Sequence, residues 1–305
     1  MSSSSSSTKI IDSYFLPNDV CVVSGASSGI GKKIALELSK FRTNVVLLAR
    51  TKSLLEQVSQ ECISLGASST LVIPCDVSNE EQCKNAIQSI HSKYNGRLDK
   101  LFLCAGISGS IPFEHIQDMS IFEQMFKTNV MGYIYLTKFS LPLLKQSKSN
   151  PHICVMSSMS GVIPIPMRTA YCMSKFAVEG FFRTLRTELK HTKDAKHICI
   201  TLICPGWVDT DIRKHHVTEH QTNYDNGSKM MSVEECVKKT LKAVREKKGT
   251  QRFKTLYHWS PIIYELYPKF IEDLTVKKTG FSQLMYRVEH NSQAEQSTTS
   301  RPSKL

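Results

Sequence analysis

The sequence predicts an α/β fold, a single doubly wound parallel sheet with helices on both faces. Three observations predict it. Short apolar runs alternate with longer amphipathic stretches from Val20 to about Lys247. The first run, Val20–Ser24, passes through a glycine-rich turn into a stretch with apolar residues at Ile34, Leu36, Leu38 and Phe41. The residues able to do chemistry follow the ends of such runs, where open α/β sheets place their ligands.

Composition bounds the rest. The 305 residues are 41% hydrophobic and carry a formal net charge of +12, which suits anionic partners such as phosphorylated cofactors. Arginine is not interleaved with aromatics as in a nucleic-acid module, so no nucleic-acid partner is expected. The ten cysteines form no C-x-x-C pair and read as small hydrophobes of a reducing compartment, without disulfides. His215, His216 and His220 stand near Glu219; a polar loop is the expected reading, with no metal site. No apolar run is long enough to span a membrane.

In chain order, residues 1–17 read as a Ser-rich tail. Strand 20–24 opens the turn Ser24-Gly25-Ala26-Ser27-Ser28-Gly29-Ile30-Gly31, a strand–turn–helix arrangement in which a helix N-terminus faces a pyrophosphate. The second strand, Asn44–Leu48, leads into Ala49 and Arg50. A carboxylate there would bind the ribose 2′-hydroxyl of NAD; an arginine pairs with the 2′-phosphate of NADP, which is therefore the expected cofactor, with NAD the lesser alternative. A helix over 51–65, a strand Thr70–Cys75 with Asp76 and Val77 after it, and a helix from Asn79 to Tyr94 follow. Strand Asp99–Cys104 ends in Ala105 and Gly106, small residues that permit close backbone approach to a ligand. One long helix is expected from Ser120 to Gln146, with Asn129 inside it needing a partner for its amide.

The strand after Pro151 ends at Ser157 and Ser158. Tyr171 and Lys175 stand one helical turn apart on the helix from Ala170 to about His191,. An ammonium beside a phenol favours the phenolate and lowers the phenol from its usual value of about 10, which suits proton transfer. Strand His197–Cys204 ends in Pro205-Gly206-Trp207-Val208-Asp209-Thr210. Residues 211–231 are polar and long enough for a lid. Ser232 and Glu235 have the spacing of a capping box for a helix to about Lys247.

Together these motifs resemble the short-chain dehydrogenase/reductase family, in the branch with a Tyr-x-x-x-Lys centre. The matching pieces are residues 24–31, Asp76-Val77, Cys104-Ala105-Gly106, Asn129-Val130-Met131-Gly132, residues 157–161, 171–175 and 205–210. Residues 168–189 and the Met-Ser-Val-Glu-Glu-Cys run at 231–236 resemble its hydroxysteroid-dehydrogenase-like and member-seven subgroup, many of which carry an N-terminal membrane anchor that is not expected here. The resemblance implies a Rossmann-type fold over residues 18–250, with 251–288 a C-terminal extension and 289–305 a flexible tail. It implies that Tyr171 is the general acid or base, that Lys175 assists it and binds the nicotinamide ribose, that Ser158 holds the substrate carbonyl, and that Asn129 holds a proton-relaying water. The cofactor would be held by Ser24, Gly25, Ser27, Ser28, Gly29, Ile30, Gly31, Arg50, Asp76, Val77, Cys104, Ala105, Gly106, Asn129, Tyr171, Lys175, Pro205, Gly206, Val208 and Thr210. Ser24 stands where the family has Thr, and Cys104 where it has Asn. Dimers or tetramers through helices 120–146 and 170–190 are implied as well.

The expected substrate pocket is apolar: Ile107, Ser158, Pro164, Ile165, Met167 and Trp207, with Val162 and Ile163 beside them. A lipid-like ketone fits such a rim. The terminal Ser303-Lys304-Leu305 reads as a peroxisomal address recognised by an import receptor, with the cytoplasm the alternative. Compartment and subgroup together suggest reduction of acyl- or alkyl-dihydroxyacetone phosphate in ether-lipid synthesis; the other enzymatic reading is a steroid or retinoid hydroxy-lipid dehydrogenase. A non-enzymatic dinucleotide-binding protein would be expected to have lost Tyr171 or Lys175, and both are present.

Overall fold

A computed structural model describes residues 14–210, 230–283 and 285–286. The His-rich cluster, most of the expected lid and the terminal tripeptide lie outside them. Seven strands form one sheet in the order β3-β2-β1-β4-β5-β6-β7, every pairing parallel. They are β1 (Val20–Ser24), β2 (Asn44–Ala49), β3 (Ser69–Pro74), β4 (Lys100–Leu103), β5 (His152–Met156), β6 (Cys199–Cys204) and β7 (Thr250–Arg252). The order reverses between β1 and β4, so the crevice beyond the C-terminal ends of those two strands is the natural ligand site.

Alternation along the strands explains the two faces. Val20 and Val22 of β1 point into one core, with Leu101, Leu103, Tyr133 and Phe182. Cys21 and Val23 point into the other, with Ile34, Leu38, Leu55 and Val237. The first core is closed by α3 (Glu80–Lys93), α5 (Gly132–Gln146) and α6 (Thr169–His191), the second by α1 (Gly29–Ser39), α2 (Lys52–Ser64) and α7 (Val233–Arg245). Both faces are covered, which is why the strands read as near-continuous apolar runs.

Three expectations change. The helix expected over 120–146 is divided: α4 (Ser120–Phe126) gives way to a π-helical turn, Lys127–Met131, before α5 begins. A π turn inserts one extra residue and re-aims the side chains in it, and Asn129 is among these. The expected tail 1–17 includes residues of the fold, since Tyr14 and Phe15 are buried, Phe15 stacking 5.3 Å from Phe41. The expected boundary at 250 falls inside β7, whose Thr250 pairs with Leu202 of β6. The extension beyond it folds into α8 (Thr255–Leu266) and α9 (Pro268–Thr279), α9 ending at Gly280 in the left-handed conformation usual for a helix stop,. Ser232 does cap α7, its hydroxyl accepting from the Glu235 amide at 3.1 Å. No helix among the described residues is long and apolar enough to cross a membrane.

Candidate active site

A cleft of about 790 Å³ runs along the C-terminal ends of the strands, from the turn after β1 to Tyr171. Its near end is the first turn of α1. Ser28 precedes that helix in extended conformation without capping it through its side chain, so the amides of the first turn keep the capacity to bind an anion. Gly25 makes this turn possible. Its φ is +67°, and a Cβ there would lie 2.8 Å from the Ala105 backbone, so no other residue lets the turn lie against the end of β4. Ser27, Ser28, Gly29, Ile30 and Gly31 line the cleft, as do Asp76, Val77, Cys104, Ala105 and Gly106. Arg50 lines it as well, exposed, with no hydrogen bond or ion pair to another described residue. The Cys104 thiol is pushed up to about 12, burial being the main cause, so it is an inert small side chain and no nucleophile.

At the far end stand Ser158, Tyr171 and Lys175, all lining the cleft. Lys175 is 3% exposed, and its Nζ donates to the Met156 carbonyl at 2.9 Å. The Tyr133 hydroxyl donates to the same carbonyl at 3.3 Å; burial holds that phenol well above its ordinary value, so it remains a donor. Lys175 Nζ lies 5.7 Å from the Tyr171 ring centre. Ser158 follows β5 and caps a short 3-10 turn, Met159–Gly161, its Oγ accepting from the Ser160 amide at 3.1 Å. Gly161 ties this turn to α6: a Cβ there would sit 2.6 Å from the Lys175 carbonyl oxygen. The loop bearing the serine therefore rests directly on the helix bearing the lysine.

Two expected cofactor residues take other roles. Ser24 is buried behind the cleft, where its Oγ accepts from the amides of Cys104 at 3.0 Å and Ala105 at 3.2 Å. It pins β1 to the end of β4. Asn129 is fully buried and off the cleft wall. Its Oδ1 accepts from the Ile107 amide at 2.8 Å, and its Nδ2 donates to the Ile107 carbonyl at 3.0 Å and to Ser174 Oγ at 3.1 Å. Ser174 in turn donates to the Tyr171 carbonyl at 2.8 Å. The side chain therefore fastens the loop after β4 to α6 beside Tyr171, and both its amide hydrogens are used. Through these bonds the Asn129 side chain acts as a positioning group.

Of the expected substrate residues, Ile107, Ser158 and Trp207 line the cleft, while Ile165 lines a second, smaller cavity beside it. Pro164 and Met167 line neither. Met167 is buried with φ +65°, and its carbonyl accepts from the Ile111 amide. Pro205, Gly206, Val208 and Thr210 line the cleft as expected. Met231 returns to this strand end and exchanges backbone bonds with Trp207 and Asp209, both at 3.0 Å. Sequence reasoning passed over Arg168. Its guanidinium carbon lies 4.4 Å from the Tyr171 ring centre and 4.9 Å from that of Trp207, and it donates to Ser108 Oγ at 2.6 Å. The nearness to Tyr171 in the chain was its one available signal.

This arrangement agrees with the comparisons. A family model described as short chain dehydrogenase matches residues 19–221. The chain belongs to the short-chain dehydrogenase family. An 11-beta-hydroxysteroid dehydrogenase of Pinus massoniana is 34% identical over 276 residues, covering 87% of this chain and 74% of that protein. Among solved structures, a short-chain dehydrogenase/reductase from Burkholderia phymatum in complex with NAD has a TM-score of 0.73 at 21% identity, covering 85% and 96% of the two chains. An alcohol dehydrogenase from Thermococcus sibiricus complexed with 5-hydroxy-NADP has a TM-score of 0.65 at 22% identity, covering 78% and 97%. As a short-chain dehydrogenase, the protein is an oxidoreductase acting on CH–OH groups. The glycine turn, the uncapped start of α1 and the length of the cleft up to Tyr171 fit a nicotinamide dinucleotide.

Proposed function

We propose that the protein is an NADPH-dependent carbonyl reductase acting on apolar, lipid-like ketones and the corresponding alcohols. The observation that carries this reading is the single cleft that has Arg50 on one wall and Ser158, Tyr171 and Lys175 at its far end.

When bound, the reduced nicotinamide supplies a hydride to the carbonyl carbon. Ser158 Oγ already accepts a backbone hydrogen bond, so its own hydrogen is available to the carbonyl oxygen, whose negative charge grows as the carbon is reduced. Tyr171 gives its hydroxyl proton to that oxygen and takes it back when the alcohol is oxidised. The Lys175 ammonium, held by Met156, steadies the phenolate left behind,. Asn129 and Ser174 keep the Tyr171 segment in place against the loop after β4.

Arg50 decides the nucleotide in this reading. No carboxylate stands at the end of β2, where one would oppose a 2′-phosphate,. The test compares NADPH with NADH at limiting concentration. Arg50→Asp is expected to reverse the preference by tenfold or more, the worth of one charge-assisted contact of about 1.5–3 kcal/mol. An unchanged ratio removes Arg50 from the ribose site.

The relatives named 11-beta-hydroxysteroid dehydrogenase support a second reading, a hydroxysteroid substrate. Acyl- or alkyl-dihydroxyacetone phosphate is the other specific candidate. A substrate panel with NADPH separates the two.

A further inference from the structure

Lys175 carries a charge into the protein without an acid to meet it. The side chain is buried, its Nζ bonds the Met156 carbonyl at 2.9 Å, and no carboxylate of a described residue pairs with it. A buried ammonium is costly unless something replaces the water it has lost. The neighbouring elements offer few such groups. The Cys104 thiol, at the end of β4, is neutral because burial pushes it up to about 12. Glu179, one turn further along α6, is taken by Arg183 at 2.7 Å and by the Cys204 thiol of β6 at 3.1 Å. Glu123 of α4 is exposed and pairs with Lys127 of the π turn. Tyr171 presents its ring at 5.7 Å, but the Arg168 guanidinium lies nearer to that ring, at 4.4 Å.

The missing compensation comes from α5. Tyr133 is its second residue, directly after the π turn. One inserted residue turns every later side chain by about 100° around the helix axis, so the π turn decides which side chain of α5 meets the end of β5. Lys175 Nζ stands 5.3 Å from the centre of the Tyr133 ring, within the range at which an aromatic face attracts a cation. Tyr133 is 1% exposed, and the attraction is stronger where water is excluded. The ring is held in place at both ends. Its hydroxyl donates to the same Met156 carbonyl, and its centre lies 6.4 Å from that of Phe182 on α6, edge to face. Phenol and ammonium thus share one carbonyl oxygen, which has a lone pair for each. Burial keeps the phenol neutral, so what it offers the ammonium is the ring face and no counter-charge.

We infer that Tyr133 is a positioning residue for the proton transfer: its ring face takes the place of a counter-ion for Lys175, keeping the ammonium charged and directed at Tyr171. The inference rests on the reductase reading and adds to it a residue of α5.

The experiment records kcat against pH for NADPH oxidation by the full chain, with 2-decanone and an 11-ketosteroid as probes. Tyr133→Phe keeps the ring, and its kcat and the alkaline limb of its pH profile should stay close to those of the original. Tyr133→pentafluorophenylalanine keeps the shape and reverses the polarity of the ring face, and Tyr133→Leu removes the ring. Each of these two should lower kcat by about tenfold, the worth of a desolvated cation–π contact, with the KM for NADPH little changed. The alkaline limb of carbonyl reduction should move down by about half to one pH unit, since an ammonium without its ring gives up its proton more readily. The fluorinated variant decides the matter should the leucine variant fold poorly. Phenylalanine and pentafluorophenylalanine variants alike in kcat and in pH profile overturn the inference and leave the reductase reading standing. The same holds for a change confined to the melting temperature or to the KM of NADPH. No oxidation of NADPH by the unaltered chain with either probe overturns the reductase reading itself, and the inference falls with it.

Discussion

The two ends of the sheet solve opposite problems. At the C-terminal ends of the strands, polar groups face a cleft, and several have no protein partner. Arg50 is one, and the buried Ser157 hydroxyl on the cleft wall is another. At the N-terminal ends the polar groups face each other. Asp19, Asp99 and Lys100 are essentially without exposure. Asp19 bonds Arg97 at 3.0 Å and Ser149 at 2.5 Å through one oxygen, and Lys100 at 3.4 Å and the Leu16 amide at 3.0 Å through the other. Asp99 takes Arg97, Ser147 and the Val20 amide. Beside them the Tyr14 hydroxyl donates to His152 Nδ1 at 2.7 Å. Thr201 donates its hydroxyl to the Lys248 carbonyl, so it receives the Nε2 hydrogen of His152 at 2.9 Å. A closed network contributes to a fixed structure, whereas an open row of donors is what a ligand needs. The same strands carry both.

Three measurements would sharpen or break this division. The largest effect is expected at the open end. Tyr171→Phe should lower kcat by about a hundred- to ten-thousandfold, the usual worth of a positioned acid, with the melting temperature little changed. Turnover near the original rate would exclude Tyr171 as the proton donor. At the closed end Asp19→Ala strands a buried Lys100 beside an incomplete network. Equilibrium unfolding in urea should show a loss of about 3–5 kcal/mol, while KM values of the remaining folded enzyme stay as they were. A shift in cofactor affinity would show that the two ends are coupled.

The smallest effect concerns pH. Burial, aided by the charges of Lys100 and Lys247, lowers the His152 imidazole to about 3, below the value of about 6.5 it has in an unfolded chain. Between these values the unfolded chain binds more protons, so this contribution is complete above about pH 6.5 and is lost progressively as pH falls toward 3. Each pH unit in that window costs about 1.4 kcal/mol from this group. His152→Gln should flatten the dependence of unfolding free energy on pH between 6.5 and 5. An unchanged slope would place the sensitivity on other groups.

What could be read from the sequence follows from the same contrast. Tyr171 and Lys175 are legible because one helical turn brings them together, and the glycine turn because eight consecutive residues build it. Strand positions were legible because both faces are covered and the runs are apolar. The N-terminal network draws on Tyr14, Asp19, Arg97, Lys100, Ser149 and His152, and only the register of the assembled sheet joins them. The π turn left no trace either. Its residues continue an apolar helical pattern, and the packing of Asn129 against Ile107 and Ser174 is a tertiary event. Pro164 and Met167 looked like pocket residues because they are apolar and close to Ser158 in the chain, yet a loop turns some of its apolar side chains into the protein. Arg168 was hidden by its type, since an arginine in a loop signals nothing until the rings that flank it are known.

The outer wall of the second cavity has a further consequence. The chemical groups stand on β5, α6 and the loops between them, locked together through Gly161 and Met156. The opposite wall comes from α8 and α9, which follow the last strand in the chain. The cavity thus joins side chains from two stretches of sequence, one around Ser158 and Arg168 and one in α8 and α9. Substitutions on the inner face of α9 reshape this wall without touching the strand register, whereas a single methyl group added at Gly161 would strike the backbone of α6 at Lys175. New specificities in such a scaffold are expected to arise by drift or exchange of the C-terminal helices, with the catalytic segment inherited unchanged.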